Sequence, residues 1–218
     1  MNPQTKTLPA IQPTPLTGFA DAFAPEVEQA AAARAAAQTL GIDSITPSTA
    51  TLISLLTRSI GAATAVEVGT GAGVSSLALL AGLTDTGVLT SIDLEPEHQT
   101  AARTVLTEAG IVSRRARLIA GPALTVLPKL SDSAYDVALI DADPLEYVEY
   151  VAQAARLLRS GGLLFIYHAF AQGTVADARN EDDETVIIRE ALAAISAMDE
   201  FTRTLVPVGD GLVVALRS

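Results

Sequence analysis

Acidic side chains, one histidine and a run of alternating glycines mark where this chain can do chemistry. Glu67 is followed, after Val68, by Gly69-Thr70-Gly71-Ala72-Gly73, with Ser75 just beyond; Asp93, Asp141 and Asp143 each follow an apolar run, and His168 follows another. Glycines in that register let a ligand approach main chain, and N–H groups at the start of a helix point outward to meet it. A carboxylate such as Asp93 offers two acceptor oxygens and no donor, which suits the vicinal hydroxyls of a ribose. Its competing role is to cap the turn at Leu94-Glu95-Pro96. His168 is the side chain suited to moving a proton near neutral pH, set against the plain alternative of a loop histidine bonded to backbone.

These residues need a scaffold that brings strand ends together, and the pattern supplies one. Apolar runs at 64–68, 87–92, 117–120, 135–140 and 162–167 alternate with helical patterns at 74–82, 96–109, 123–129 and 145–158. Near-continuous apolar runs of this kind are buried on both faces of a parallel sheet, so the chain predicts a doubly wound, mostly parallel α/β fold. Runs at 202–208 and 212–216, joined by Gly209-Asp210-Gly211, predict an antiparallel C-terminal hairpin, and a helix is expected over 182–198. The acidic stretch 181–184 reads as the solvated start of that helix rather than a metal cluster. Upstream, residues 1–20 hold Pro3, Pro9, Pro13 and Pro15 and read as a loose arm. An Ala-rich helix over 21–40 and a second over 47–60 precede the sheet, and 21–218 is expected to be one domain. In such sheets ligands bind outside the carboxyl ends of the strands where strand order reverses.

Glycines and an acid also occur in dinucleotide folds, so a nicotinamide-dependent oxidoreductase stays open. Against it, a charge on Glu67 beside the turn would repel a pyrophosphate and attract an ammonium, which favours a sulfonium nucleoside. The stretch 66–75 with Ile92-Asp93 resembles the S-adenosylmethionine-dependent methyltransferases. Together with Gly121-Pro122-Ala123, Asp141-Ala142-Asp143, Tyr150 and the run 205–212, it resembles the small O-methyltransferases related to the caffeoyl-CoA and catechol enzymes. The resemblance implies a class I, Rossmann-like sheet of seven strands, S-adenosyl-L-methionine as cofactor, a small-molecule methyl acceptor and a homodimer. It also implies cofactor contacts from Ile45, Glu67, Gly69, Thr70, Gly71, Ser75, Asp93 and Ala123, with Asp141, Asp143 and Tyr150 lining the reaction centre.

The family resembled holds a divalent cation on an Asp after the fourth strand and an Asp-Asn pair after the fifth. Here Asp141 is present, but the pair reads Tyr167-His168, and the Lys expected three residues after Asp141 is Pro144. Mg²⁺ demands near-octahedral oxygen coordination, so a metal is doubtful. Three readings stay open: His168 as a general base beside Asp141, a softer ion on His168 and Asp141, or a cofactor-binding protein that has lost its chemistry or methylates an amine. His98 is expected to be merely solvated. Tyr147 is expected to pack in the core with its hydroxyl at the surface, while Tyr150 is the tyrosine expected at the site.

Composition sets outer bounds. With 14 Lys+Arg against 25 Asp+Glu the net charge is −11, which argues against a nucleic-acid backbone or an anionic membrane as partner. The chain has no cysteine, which removes disulfides and thiolate metal sites. No apolar run is long enough to span a bilayer, and a cytoplasmic location is the expectation.

Overall fold

The computed structural model describes residues 15–218. A seven-stranded sheet has the order β3-β2-β1-β4-β5-β7-β6. Its strands are β1 (Thr64–Val68), β2 (Val88–Asp93), β3 (Ala116–Ala120), β4 (Tyr135–Ile140), β5 (Leu158–Ile166), β6 (Phe201–Val206) and β7 (Leu212–Arg217). The first five run parallel and β7 pairs antiparallel with both β5 and β6. Strand order reverses between β1 and β4, so the C-terminal ends of those strands open the crevice that a doubly wound sheet offers to a ligand.

Helices α1 (Pro15–Phe23), α2 (Glu28–Thr39) and α3 (Pro47–Ser59) precede the sheet. They are followed by α4 (Val74–Gly82), α5 (Pro96–Glu108), α6 (Ala123–Val126), α7 (Tyr147–Leu157) and α8 (Asp183–Ala197). Apolar side chains bury on both sides of the sheet. One cluster joins Val66, Ile92, Ile140 and Ile166 to Tyr147, Val151 and Ile188, and the other joins Ala65, Leu89, Leu139 and Phe165 to Ile53 and Leu79. Strand residues alternate between the two clusters, which is why these strands read as unbroken apolar runs.

Three expectations need correction. Of the arm expected over 1–20, residues 1–14 lie outside the described residues, whereas 15–20 are helical: proline at the first helical position lacks only an N–H that would be unpaired there anyway. The helix expected over 21–40 is instead two, broken at 24–27, because Pro25 cannot donate and restricts Ala24. Finally, β5 begins at Leu158 rather than 162, with a register irregularity against β4 between Tyr135 and Val137. Asp136 gathers the start of the sheet by accepting from the Ala63 and Thr64 N–H groups at 2.7 and 2.8 Å and from Arg159 Nε at 2.5 Å.

Candidate functional site at the β1/β4 switch point

A crevice of about 410 Å³ opens where the strand order reverses. The glycine turn after β1 forms one wall, Asp93 to Glu95 and His98 a second, Pro122 and Ala123 a third, and the segment 141–146 with Tyr150 and His168 a fourth. Residues 42–45 close the remaining side, and Arg34 of α2 fixes that segment by donating to Ser44 Oγ at 2.9 Å and to the Ile45 carbonyl. Its volume falls in the range of small-molecule and cofactor sites.

Of the residues singled out from sequence, Ile45, Gly69, Thr70, Gly71, Ser75, Asp93, Ala123, Asp141, Asp143, Tyr150 and His168 all line this crevice. Glu67 does not. Its side chain is fully buried between β1, β2 and the first turn of α4, where Ser76 and Ser91 hydroxyls donate to Oε2, each at 2.5 Å. Burial drives its pKa from 4.5 up to about 7, although the Ser75, Ser76 and Ser91 hydroxyls pull the other way. Oε1 has no partner that meets hydrogen-bond geometry. The expected charged strand tip facing a cationic tail is therefore replaced by a buried carboxyl of divided protonation behind the wall.

The glycines also divide their work differently from the expectation. A Cβ at Gly69 would lie 1.7 Å from the Asp141 carbonyl oxygen, so this glycine, besides lining the crevice, lets the ends of β1 and β4 close up. At Gly73 a Cβ would press on Ala102 of α5 at 3.3 Å. Only Gly71 leaves open room, its nearest neighbour being Ile42 at 3.5 Å, and its N–H donates to Asp93 Oδ2 at 2.9 Å.

Asp93 combines both roles considered for it. Oδ1 accepts from the Glu95 N–H at 2.9 Å, as a turn cap does, while the carboxylate still lines the crevice. His98 was expected to be solvated, but Nδ1 lies 3.0 Å from Asp93 Oδ1 and the ring lines the crevice. A histidine five residues after the acid, on the first turns of α5, was the signal that pattern reading passed over.

At the other end, His168 follows β5 in a left-handed conformation, φ 57°. Its Nδ1 is 3.1 Å from Asp210 Oδ2 and its Nε2 is 3.5 Å from Asp141 Oδ1. Asp141 is pushed from 3.8 up to about 6 by burial, which the nearby His168 partly offsets. Burial alone would lower the His168 pKa, but Asp210, Asp141 and Asp43 together hold it above its ordinary value. Tyr147 contradicts the surface-hydroxyl expectation: it is fully buried and its hydroxyl donates to the Tyr167 carbonyl at 3.2 Å, fixing the backbone just before His168. Tyr150 donates to Glu146 at the crevice edge, and Asp143 caps the turn into α7 through the Leu145 N–H at 3.0 Å.

This donor set does not fit a divalent cation. The two carboxylates face different edges of the imidazole instead of converging on one point, and the Tyr167 hydroxyl already accepts the Asp210 N–H at 3.3 Å. Among the described residues no three His, Asp or Glu side chains gather in a metal-holding group.

A seven-stranded doubly wound sheet with a cofactor-sized crevice at the β1/β4 reversal defines the class I, Rossmann-like methyltransferase architecture. Residues 24–218 match the O-methyltransferase family model. A Mycolicibacterium smegmatis protein with a provisional O-methyltransferase name is 46% identical over 187 residues, 86% of this chain and 89% of that one. Its Mycobacterium avium counterpart is 45% identical over 202 residues, 93% of this chain and 91% of that one. The chain belongs to the O-methyltransferase family. Among solved structures, a Corynebacterium glutamicum protein superposes with TM-score 0.87 at 29% identity, covering 93% of this chain and 95% of that one. The O-methyltransferase TomG from Streptomyces achromogenes, solved with S-adenosylmethionine, superposes with TM-score 0.84 at 26% identity, covering 92% and 94%.

Proposed function

We propose that the crevice binds S-adenosyl-L-methionine and that the protein transfers its methyl group to an oxygen of a small molecule without a divalent metal. The observation that carries the reading is the convergence of the glycine turn, Asp93 and the Asp141–His168 pair on one crevice in a chain of this family. When bound, the cofactor supplies an electrophilic methyl group on a sulfonium. Asp93 would accept from the ribose hydroxyls, with Ala123 beside the base and Thr70, Gly71, Ser75 and Ile45 around the remainder. Asp141, Asp143 and Tyr150 would border the transferring methyl, and Glu67 would act from behind the wall by supporting Ser76 and Ser91.

Methyl transfer depends mainly on in-line positioning, and the remaining demand is for the acceptor hydroxyl to lose its proton. The His168 Nε2 takes it: the acceptor O–H bond breaks, an N–H bond forms, and the resulting imidazolium is stabilised by Asp141 at 3.5 Å and Asp210 at 3.1 Å. The acceptor would enter beside residues 168–180 and the N-terminal helices.

The unit extends from α1 to the C-terminus as one domain acting in the cytoplasm. No described helix is long and apolar enough to cross a membrane, and the net charge of −11 disfavours nucleic acid. A homodimer is part of the reading; Leu16, Phe19 and Phe23 leave an exposed apolar stripe on α1, and α2 turns Ala33 and Ala37 inward while Ala31, Ala32 and Ala35 stay exposed.

Calorimetry with S-adenosylhomocysteine and with NAD tests the cofactor assignment. Binding of the former alone is expected, and binding of NAD alone would return the oxidoreductase reading.

A further inference from the structure

We propose that Asp210, in the turn between β6 and β7, is a positioning residue for methyl transfer: it holds His168 with its proton on Nδ1, so that the Nε2 lone pair faces the crevice. The inference rests on the reading of His168 as proton acceptor and adds a residue that pattern reading did not single out for the site.

The distances decide which nitrogen keeps the proton. Asp210 Oδ2 stands at hydrogen-bond distance from Nδ1, 3.1 Å, whereas Asp141 Oδ1 stands 3.5 Å from Nε2, beyond a good N–H···O contact. A carboxylate only accepts, so a neutral imidazole meeting both must place its one N–H toward the nearer. A proton acceptor needs the other nitrogen bare, and Nε2 is the nitrogen beside Asp141 at the crevice wall.

Asp210 is itself held firmly enough to impose that choice. Its two oxygens accept from the Gln172 N–H at 2.9 and 3.1 Å, and its own N–H donates to the Tyr167 hydroxyl. Main chain closes the clip: Phe170 N–H donates to the Asp210 carbonyl at 2.9 Å and Ala169 N–H to the Gly211 carbonyl at 3.2 Å. The clipped segment carries His168, Ala171 and Gln172 at positive φ, a conformation that side-chain-bearing residues hold only when their surroundings impose it. The hairpin turn thus sets the orientation of a ring that lies 42 residues earlier in the chain.

Asp210→Asn separates orientation from shape. The amide oxygen takes over acceptance from Gln172, which turns the NH₂ toward Nδ1 and forces the histidine proton onto Nε2, the unproductive tautomer. Long-range ¹H–¹⁵N spectra, taken at successively higher pH until the His168 ring signals stop moving and the imidazole is neutral, read the tautomer directly. The chain has two histidines, so a His168→Gln sample assigns the signals. The wild type should show the Nδ1–H form and Asp210→Asn the Nε2–H form. Turnover on a panel of catechols should fall about 100-fold, with S-adenosylhomocysteine affinity unchanged. An Nε2–H form in the wild type, or one tautomer in both proteins, overturns the proposal. If Asp210→Asn does not fold, the wild-type spectrum alone decides it. Failure of S-adenosylhomocysteine to bind the wild type would instead sink the cofactor reading, and the spectrum of the free protein would still report on Asp210.

Discussion

Glu67→Gln probes the buried carboxyl behind the glycine turn. Glu67 is fully buried and its pKa is raised from 4.5 to about 7. Below pH 4.5 folded and unfolded chains both carry this proton, so the carboxyl is fully accommodated. Between 4.5 and 7 the folded state binds more protons than the unfolded, and stability falls as pH rises. Above 7 the loss is complete, and at 1.36 kcal/mol for each tenfold change in proton affinity it amounts to about 3 kcal/mol. Glutamine keeps the shape and an acceptor for Ser76 and Ser91 but has no proton to lose. Its amide N–H₂ near the unpartnered Oε1 position adds an offset that does not vary with pH. The slope is therefore the diagnostic quantity. Urea unfolding of both proteins in steps from about pH 5 to 8.5 should show the variant gaining on the wild type by ~2.5 kcal/mol across the series. Parallel curves would mean that Glu67 is not held protonated by burial, and the placement of this side chain would be wrong.

Other perturbations address the remaining parts of the site. Gly69→Ala drives a methyl into the Asp141 carbonyl and should destabilise the fold by roughly 3 kcal/mol or prevent its expression; a normal melting temperature would show that β1 and β4 do not approach as described. Asp93→Ala removes the acceptor of the Gly71 and Glu95 N–H groups together with the proposed ribose contact, so S-adenosylhomocysteine affinity should drop by about 100-fold; unchanged calorimetry would dismiss that contact. Because Asp210, Asp141 and Asp43 raise the His168 pKa while Tyr167, its own pKa raised by burial, packs against the ring uncharged, kcat/KM should climb with pH above about 6.5 as the imidazole loses its proton. His168→Ala should lower turnover without changing cofactor affinity and abolish that rise; a flat profile in the wild type would deny the base role.

Much of the fold was legible because its signals are local. Strands such as β1, β2 and β4 bury both faces, so their apolar runs and the acids that follow them stand out in the bare sequence, as does the turn at 209–211. The α1/α2 break at Pro25 was equally local and was outweighed by the alanine content around it. What stayed hidden depends on contacts between distant segments. The close approach of the Asp141 main chain that Gly69 permits leaves no mark in the sequence, and Tyr147 looks like a surface hydroxyl until Tyr167 offers a carbonyl. Glu67 had the right position in sequence, but α4 and β2 close over it and burial raises its pKa. Asp210 reads only as a turn former, because its bond to His168 arises when a C-terminal hairpin inserts beside β5.

The proposed metal-free deprotonation by His168 is the central claim, and chelation tests it directly. Methyl transfer from radiolabelled S-adenosylmethionine to catechol acceptors, measured in excess EDTA and again with added Mg²⁺, should proceed at the same rate in both. Turnover that vanishes with the chelator and returns with Mg²⁺ would contradict the account.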